Sequence, residues 1–172
     1  HACIYTGSVP AIHGIAGNDW FDNINGSYTY CVADSTVHHV GEGDTAARSM
    51  SPRNLLTTTI TDELRLATNM ASRVYGVAIK DRSSILPAGH LANGAYWLDD
   101  STGTFGSSSY YTQPYPAWLK AFNARHVADS LAKQPWTLLY PIDKYAQSIA
   151  DDNIYEKSFK GEKAPAFPHD IS

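Results

Sequence analysis

The spacing of hydrophobic and polar positions changes several times along the first part of the chain. Residues 1–8 (HACIYTGS) have the small and apolar content of a helix, and we expect that helix to begin upstream. Glycine and proline mark residues 9–18 as a turn region. Residues 27–32 (SYTYCV) alternate as a strand does, whereas residues 33–50, rich in Asp, Ser, Gly and Thr, indicate a loop.

The clearest helix start is Ser51-Pro52, because serine caps backbone N–H groups and proline suits the first helical position. Apolar residues then recur at helical spacing to about Asn69. Residues 73–79 (RVYGVAI) are β-branched and mostly apolar, which is typical of a buried parallel strand. The remaining predicted elements are a hairpin with arms 94–98 and 107–112 around a turn at 99–103, a helix over 116–132, a short strand over 136–140 and an irregular tail from 143.

This alternation of strands and helices predicts an α/β core with inserted β-hairpins. We expect residues 1–172 to form a single partial domain, with hairpin insertions near 27–50 and 94–112. In open α/β sheets the chemistry lies at the carboxyl ends of the strands, and Lys80 and Arg82 follow the strand predicted at 73–79.

Composition narrows the range of partners. The formal net charge is −4, and lysines and arginines are scattered, so a nucleic-acid groove is not predicted. No apolar run approaches the roughly 18 residues that span a membrane. The 11 tyrosines and 4 tryptophans, together with polar turns, favour an exported protein.

Cysteines and histidines give no metal pattern. Cys3 and Cys31 either pair, as exported proteins allow, or are two separate buried thiols, which is the more common state. His38-His39 has no companions at ligand spacing, so we interpret both as loop histidines.

The strand end at Lys80-Asp81-Arg82 is the first candidate for chemistry. On an extended backbone, residues two apart point to the same side, so Lys80 and Arg82 would present an ammonium and a guanidinium to one site. Such a pair suits the oxygens of a phosphoryl group. The alternative is a solvated strand end with no ligand.

Asn18 is the second candidate. It follows Gly14 and Gly17 in a turn from which its amide could donate to an oxyanion. The alternative is that Asn18 only forms the turn. Spacing alone therefore predicts an α/β protein with one cationic strand end.

Several segments together resemble the alkaline phosphatase superfamily, in the part shared by type I phosphodiesterases/nucleotide pyrophosphatases and phosphodiesterase-like alkaline phosphatases. The segments that carry this resemblance are 1–7 (HACIYTG), Pro10, 13–15 (HGI) and 17–18 (GN). Four further segments resemble the phosphate-monoesterase branch of that superfamily. They are 51–55 (SPRNL), 61–64 (TDEL), 80–82 (KDR) and 85–90 (ILPAGH).

The resemblance implies a mostly parallel sheet with flanking helices and a secreted or periplasmic phosphatase that hydrolyses phosphate monoesters. Asn18, Lys80 and Arg82 match the residues that bind the phosphoryl oxygens. The family's threonine nucleophile would fall about four residues before His1. Two zinc ions are expected in the parent enzyme, with no ligands in this chain. We therefore expect an internal segment that is inactive by itself.

Two other functions stay open. One is a phosphodiesterase or nucleotide pyrophosphatase of the same superfamily, against which the Lys-x-Arg pair argues. The other is a non-catalytic module that binds phosphate or a glycan through the aromatic hairpin at 94–112. The expected partners are a phosphate-monoester substrate and either the rest of the parent polypeptide or a second copy, because an isolated segment leaves sheet edges unpaired.

Overall fold

The structure, a computed structural model, describes residues 1–42 and 49–170, and the chain divides into two compact units, the first ending at Arg125 and the second beginning at His126. The first unit contains α1 (Ala2–Thr6), α2 (Pro10–His13), β1 (Asp19–Asp22), β2 (Ser27–Tyr30), β3 (His39–Val40), α3 (Ile60–Ala67), β4 (Tyr75–Ala78), α4 (Asp81–Ala88), β5 (Gly94–Asp99), β6 (Thr104–Ser108) and α5 (Ala117–Asn123). The second contains α6 (Val127–Ala132) and a 3-10 turn at Ile142–Lys144. That all 172 residues belong to one domain of a larger protein stays a prediction.

A four-stranded sheet in the order β3-β6-β5-β4 forms the centre of the first unit, and β1 and β2 form a separate hairpin. The predicted α/β class is confirmed. Within the described residues only β4 and β5 pair in parallel, whereas β5–β6 and β6–β3 are antiparallel, so this part of the sheet is mixed rather than mostly parallel. The tight turn between β5 and β6 forces their antiparallel pairing.

Side chains that alternate along β5 face two different apolar layers. Ala95 and Trp97 join a core with Ile85 and Leu86 of α4 and with Cys31. Tyr96 points to the opposite layer, where its ring meets Trp118 of α5 edge-to-face at 5.0 Å. Strand β5 is thus covered by α4 on one side and by α5 on the other, as a strand buried on both faces requires. Strand β4, predicted as a buried parallel strand, pairs in parallel with β5 but is not buried, since Tyr75 and Val77 are 57% and 66% exposed.

The helix predicted from Ser51-Pro52 begins later than expected. Ser51 is buried, and its hydroxyl donates to Asp34 at 2.6 Å instead of capping a helix. The observed N-cap is Thr59, which forms a capping box with Asp62. Helix α3 therefore covers only the second half of the predicted segment.

Other boundaries also differ from prediction. The predicted helix over 116–132 is two helices, because His126 has a left-handed backbone with φ of 47°. The strand predicted at 136–140 is reduced to one bridge between Trp136 and His169. Within the described part of 27–50, β2 pairs with the preceding strand β1. Residues 43–48 lie outside the described residues, and the hairpin insertion near 27–50 stays a prediction. A hairpin forms within 94–112 as predicted, but its second strand is residues 104–108 instead of 107–112.

The second unit is organised by an aromatic cluster. Trp136 contacts the Phe167 ring edge-to-face at 5.1 Å, and Phe159 and His169 close the cluster. His169 is buried and its Nδ1 lies 3.0 Å from Glu162. In the described part of the chain, no helix has the length and apolar character needed to cross a bilayer.

Candidate phosphoryl-binding site

Asn18 lies on the exposed surface directly before β1. Its carbonyl oxygen accepts the backbone N–H of Cys31 at 2.8 Å, which fixes the residue beside the end of β2. Asn18 lines a cleft of about 190 Å³ together with Cys3, Cys31 and Arg82. The turn predicted from the glycines therefore places an amide at the wall of a cleft.

Lys80 and Arg82 lie where β4 gives way to α4. The backbone of Lys80 is extended as predicted, with φ of −104° and ψ of 141°, but the extended run does not continue to Arg82. Lys80 is the N-cap of α4 and Arg82 is already in its first turn. The chain turns because the carbonyl of Lys80 accepts the N–H groups of Ser83 and Ser84, at 3.1 and 3.2 Å. Strand alternation therefore does not explain how these side chains meet.

The two cations nevertheless line one cleft of about 400 Å³, which also includes Tyr30, Asp81, Asp99 and Asp100. Arg82 thus borders two clefts, one shared with Lys80 and the other with Asn18. Neither of these two clefts is lined by both Asn18 and Lys80, so Arg82 connects the other two candidates.

Tyr30 forms a hydrogen-bonded link at this site that the sequence interpretation missed. Its hydroxyl donates to Oδ1 of Asp81 at 2.5 Å and accepts from Nη1 of Arg82 at 3.1 Å. The backbone N–H of Arg82 donates to the same Asp81 oxygen at 2.6 Å. No signal in the local sequence predicts this link, because it joins β2 to the first turn of α4.

The charges of the site follow from these contacts. Burial raises the pKa of Tyr30 well above its usual range, and its bond to Asp81 adds to that shift. The hydrogen bond to Tyr30 raises the pKa of Arg82, so its guanidinium stays charged. Lys80 Nζ lies 3.9 Å from Asp100 Oδ2 in an exposed pair that contributes little stability.

The two cysteines are free, which confirms the interpretation that they are separate thiols. Cys31 is buried, as expected, and burial raises the pKa of its thiol to about 11. Cys3 is exposed instead, and its Sγ lies 3.2 Å from Nε2 of the buried His13.

The described residues do not fit a zinc centre. Across 1–42 and 49–170, no three side chains of His, Cys, Asp or Glu come together as metal ligands. His39, predicted as a loop histidine, is a buried residue of β3, and His38 is exposed. That the zinc ligands lie elsewhere in the parent polypeptide stays a prediction.

Comparison with known proteins gives consistent matches across nearly the whole chain. Residues 1–167 match the family described as type I phosphodiesterase / nucleotide pyrophosphatase. The chain is 56% identical to a protein named calcium-transporting ATPase from Myroides odoratus over 99% of its length, and 54% identical to alkaline phosphatase PhoV of Synechococcus elongatus over 98%. It is 49% identical to alkaline phosphatase PafA of Elizabethkingia meningoseptica over 98% of its length.

The fold agrees with these matches. The crystal structure of wild-type PafA superimposes with a TM-score of 0.94 and covers 99% of this chain. The chain spans 30 or 31% of the length of the three curated relatives and 33% of the PafA crystal chain. By both sequence and fold, the chain belongs to the type I phosphodiesterase / nucleotide pyrophosphatase family.

Proposed function

We propose that the polypeptide containing this chain hydrolyses phosphate monoesters, and that Asn18, Lys80 and Arg82 bind the oxygens of the phosphoryl group. The observation that carries this proposal is the position of Arg82, which borders both the cleft of Lys80 and the cleft of Asn18. A phosphoryl group seated at Arg82 can accept hydrogen bonds from either side.

The chemistry of the three groups suits this task. Phosphoryl transfer is accelerated mainly by positioning and by donors aimed at the non-bridging oxygens. Arg82 offers a planar fork of N–H donors, Lys80 a compact positive charge and Asn18 a neutral amide donor. Two cations favour a monoester, because a diester carries a second substituent in place of one anionic oxygen.

A second PafA structure supports these roles. It is a variant in which one threonine, one asparagine, one lysine and one arginine are replaced. The last three are spaced along that chain as Asn18, Lys80 and Arg82 are here. When the separation between that threonine and that asparagine is counted back from Asn18, the position reached lies before His1.

We therefore place the nucleophile, a threonine, outside residues 1–172. Metal ions, zinc by the family resemblance, are assigned to ligands elsewhere in the polypeptide. The same resemblance leads us to propose a periplasmic or secreted location. That this chain alone is inactive remains part of the proposal.

A phosphodiesterase or nucleotide pyrophosphatase activity is the second candidate, since the matching family carries that description. The name of the Myroides relative describes an ATPase, which also cleaves a phosphoryl bond. The alternative of a non-catalytic module is less favoured, because the aromatic rings of Tyr96 and Phe105 in the hairpin pack against α5.

The test compares two substrates with the full polypeptide that contains these residues. We expect Lys80→Ala and Arg82→Ala each to lower kcat/KM for p-nitrophenyl phosphate by about 100-fold, the size expected for one oxyanion donor. Hydrolysis of bis-p-nitrophenyl phosphate should change far less. Lys120→Ala and Arg125→Ala, which remove exposed charges from and just after α5, serve as controls. Equal losses on both substrates would refute the assigned roles, and preference of the unmodified enzyme for the diester would establish the second candidate.

A further inference from the structure

We propose that Tyr30 is a positioning residue that fixes the Arg82 guanidinium for the phosphoryl group while keeping it from pairing directly with Asp81. This inference rests on the proposed function of Arg82. It adds a residue from β2 that touches no reacting atom and acts only through the arginine.

The direction of the hydrogen bonds follows from the donor inventory. A phenol has a single proton, and a guanidinium has donors but no acceptor. Nη1 of Arg82 must therefore donate to Oη of Tyr30, at 3.1 Å. The Tyr30 proton is then given to Asp81, whose Oδ1 lies 2.5 Å away. The chain of bonds runs from arginine to tyrosine to carboxylate.

The carboxylate is itself held in place. Oδ1 of Asp81 also accepts the backbone N–H of Arg82 at 2.6 Å, and Asp81 occupies the first turn of α4, where a negative charge is favourable. Tyr30 is partly buried and packs against the hydrophobic core. Both ends of the link are therefore anchored, one in the core and one at a helix start.

The hydroxyl between Asp81 and Arg82 has a chemical consequence. At this nitrogen the arginine donates to a neutral oxygen, so its positive charge is oriented without being matched by a directly bonded carboxylate. One of the five N–H donors of Arg82 is used by Tyr30. Because the guanidinium is planar and rigid, this bond also fixes the directions of the remaining donors. Losing this bond frees a long side chain whose ordering costs entropy.

The strand supplies a matched control. Tyr28 lies two residues before Tyr30 on β2, but it is 81% exposed and packs its ring on Phe21. Tyr28→Phe therefore removes a phenol hydroxyl from the same strand without affecting Arg82. It should leave the kinetics unchanged.

The experiment is a double-mutant cycle in the full polypeptide with p-nitrophenyl phosphate and bis-p-nitrophenyl phosphate. We expect Tyr30→Phe to lower kcat/KM for the monoester by about 10-fold, and by less than about 2-fold when Arg82→Ala is already present. Diester hydrolysis should be nearly unaffected. A purely structural role would instead lower both activities and act equally in both backgrounds.

The outcomes separate the two proposals. If Arg82→Ala leaves monoester hydrolysis intact, the proposed function fails. If Arg82→Ala is damaging but Tyr30→Phe has the same effect with and without it, only the positioning role is overturned. Should Tyr30→Phe not fold, Asp81→Asn enters the same cycle in its place, and additivity with Arg82→Ala overturns the inference in the same way.

Discussion

Gly76 of β4 lies so close to Ser84 of α4 that a Cβ on the glycine would stand 2.4 Å from the Ser84 carbonyl oxygen. No real Cβ atom tolerates this distance to a backbone atom. The strand and the helix that flank Lys80 are therefore held together by a position that only glycine can fill. The close approach of α4 to the sheet fixes the backbone positions from which the side chains of Lys80 and Arg82 extend.

Gly76→Ala should push α4 away from β4. We expect a loss of about 1–3 kcal/mol in the free energy of unfolding, the usual cost of overpacking, together with reduced monoester hydrolysis. Denaturant unfolding of the full polypeptide measures the first effect and steady-state kinetics the second. Gly26→Ala is the comparison variant, because nothing lies within 4 Å of the added Cβ. Its φ of +65° means that it reports the cost of backbone strain without a steric clash. Equal stability of Gly76→Ala and the unmodified protein would contradict this packing.

Asp62 ties α3 to the segment that follows α4. Its Oδ2 accepts the N–H of Thr59 at 2.9 Å, and its Oδ1 accepts the N–H of Leu91 at 2.7 Å. Because the carboxylate is fully buried, Asp62→Asn should lower the free energy of unfolding by about 2 kcal/mol. Glu63→Gln, on the exposed side of the same helix, should change it little. Similar effects of both substitutions in thermal or denaturant unfolding would count against this role.

The carboxylate of Asp34 should make the free energy of unfolding fall at acidic pH. Burial raises the pKa of this carboxyl, but hydrogen bonds from Ser51, Thr36 and Arg53 outweigh it and lower the pKa to about 2. Since the folded pKa lies below the unfolded value of 3.8, the stabilisation is present above about pH 4 and is lost as pH falls towards 2. Unfolding free energies measured across this range should drop less steeply for Asp34→Asn. Parallel curves for the two proteins would show that Asp34 does not contribute.

The isolated chain gives a prediction of its own. By our proposal, residues 1–172 carry groups that position a phosphoryl group but lack the nucleophile. The purified chain should therefore release no phosphate from p-nitrophenyl phosphate even with added zinc. The full polypeptide, assayed alongside, is the positive control. Zinc-dependent turnover by the chain alone would mean that its own residues supply the nucleophile.

Local patterns predicted the elements that depend on near neighbours. The hairpin of β5 and β6 follows from its turn residues, and β4 from its apolar run. Helix α4 was missed because Ser83, Ser84 and Pro87 weaken any helical pattern and no side chain caps it. The start of α3 could have been found from the spacing of Thr59 and Asp62, which is that of a capping box.

The candidate site was predicted only in part. The types and order of Asn18, Lys80 and Arg82 pointed to phosphoryl binding. The reason offered for Lys80 and Arg82 lying together, an extended backbone through both residues, fails at Arg82, which is helical. The contribution of Tyr30 could not be predicted, because its partners Asp81 and Arg82 lie 51 and 52 residues away along the chain. Contacts of this kind depend on tertiary packing that no local pattern records.

The measurement that tests the central claim most directly is competitive inhibition of the full polypeptide by inorganic phosphate. If Asn18, Lys80 and Arg82 all contact one phosphoryl group, Asn18→Ala, Lys80→Ala and Arg82→Ala should each raise the inhibition constant about 10-fold or more, in keeping with the loss of a hydrogen bond to a charged group. Lys120→Ala should leave it unchanged. An inhibition constant that none of the three substitutions alters would contradict the assignment of this site.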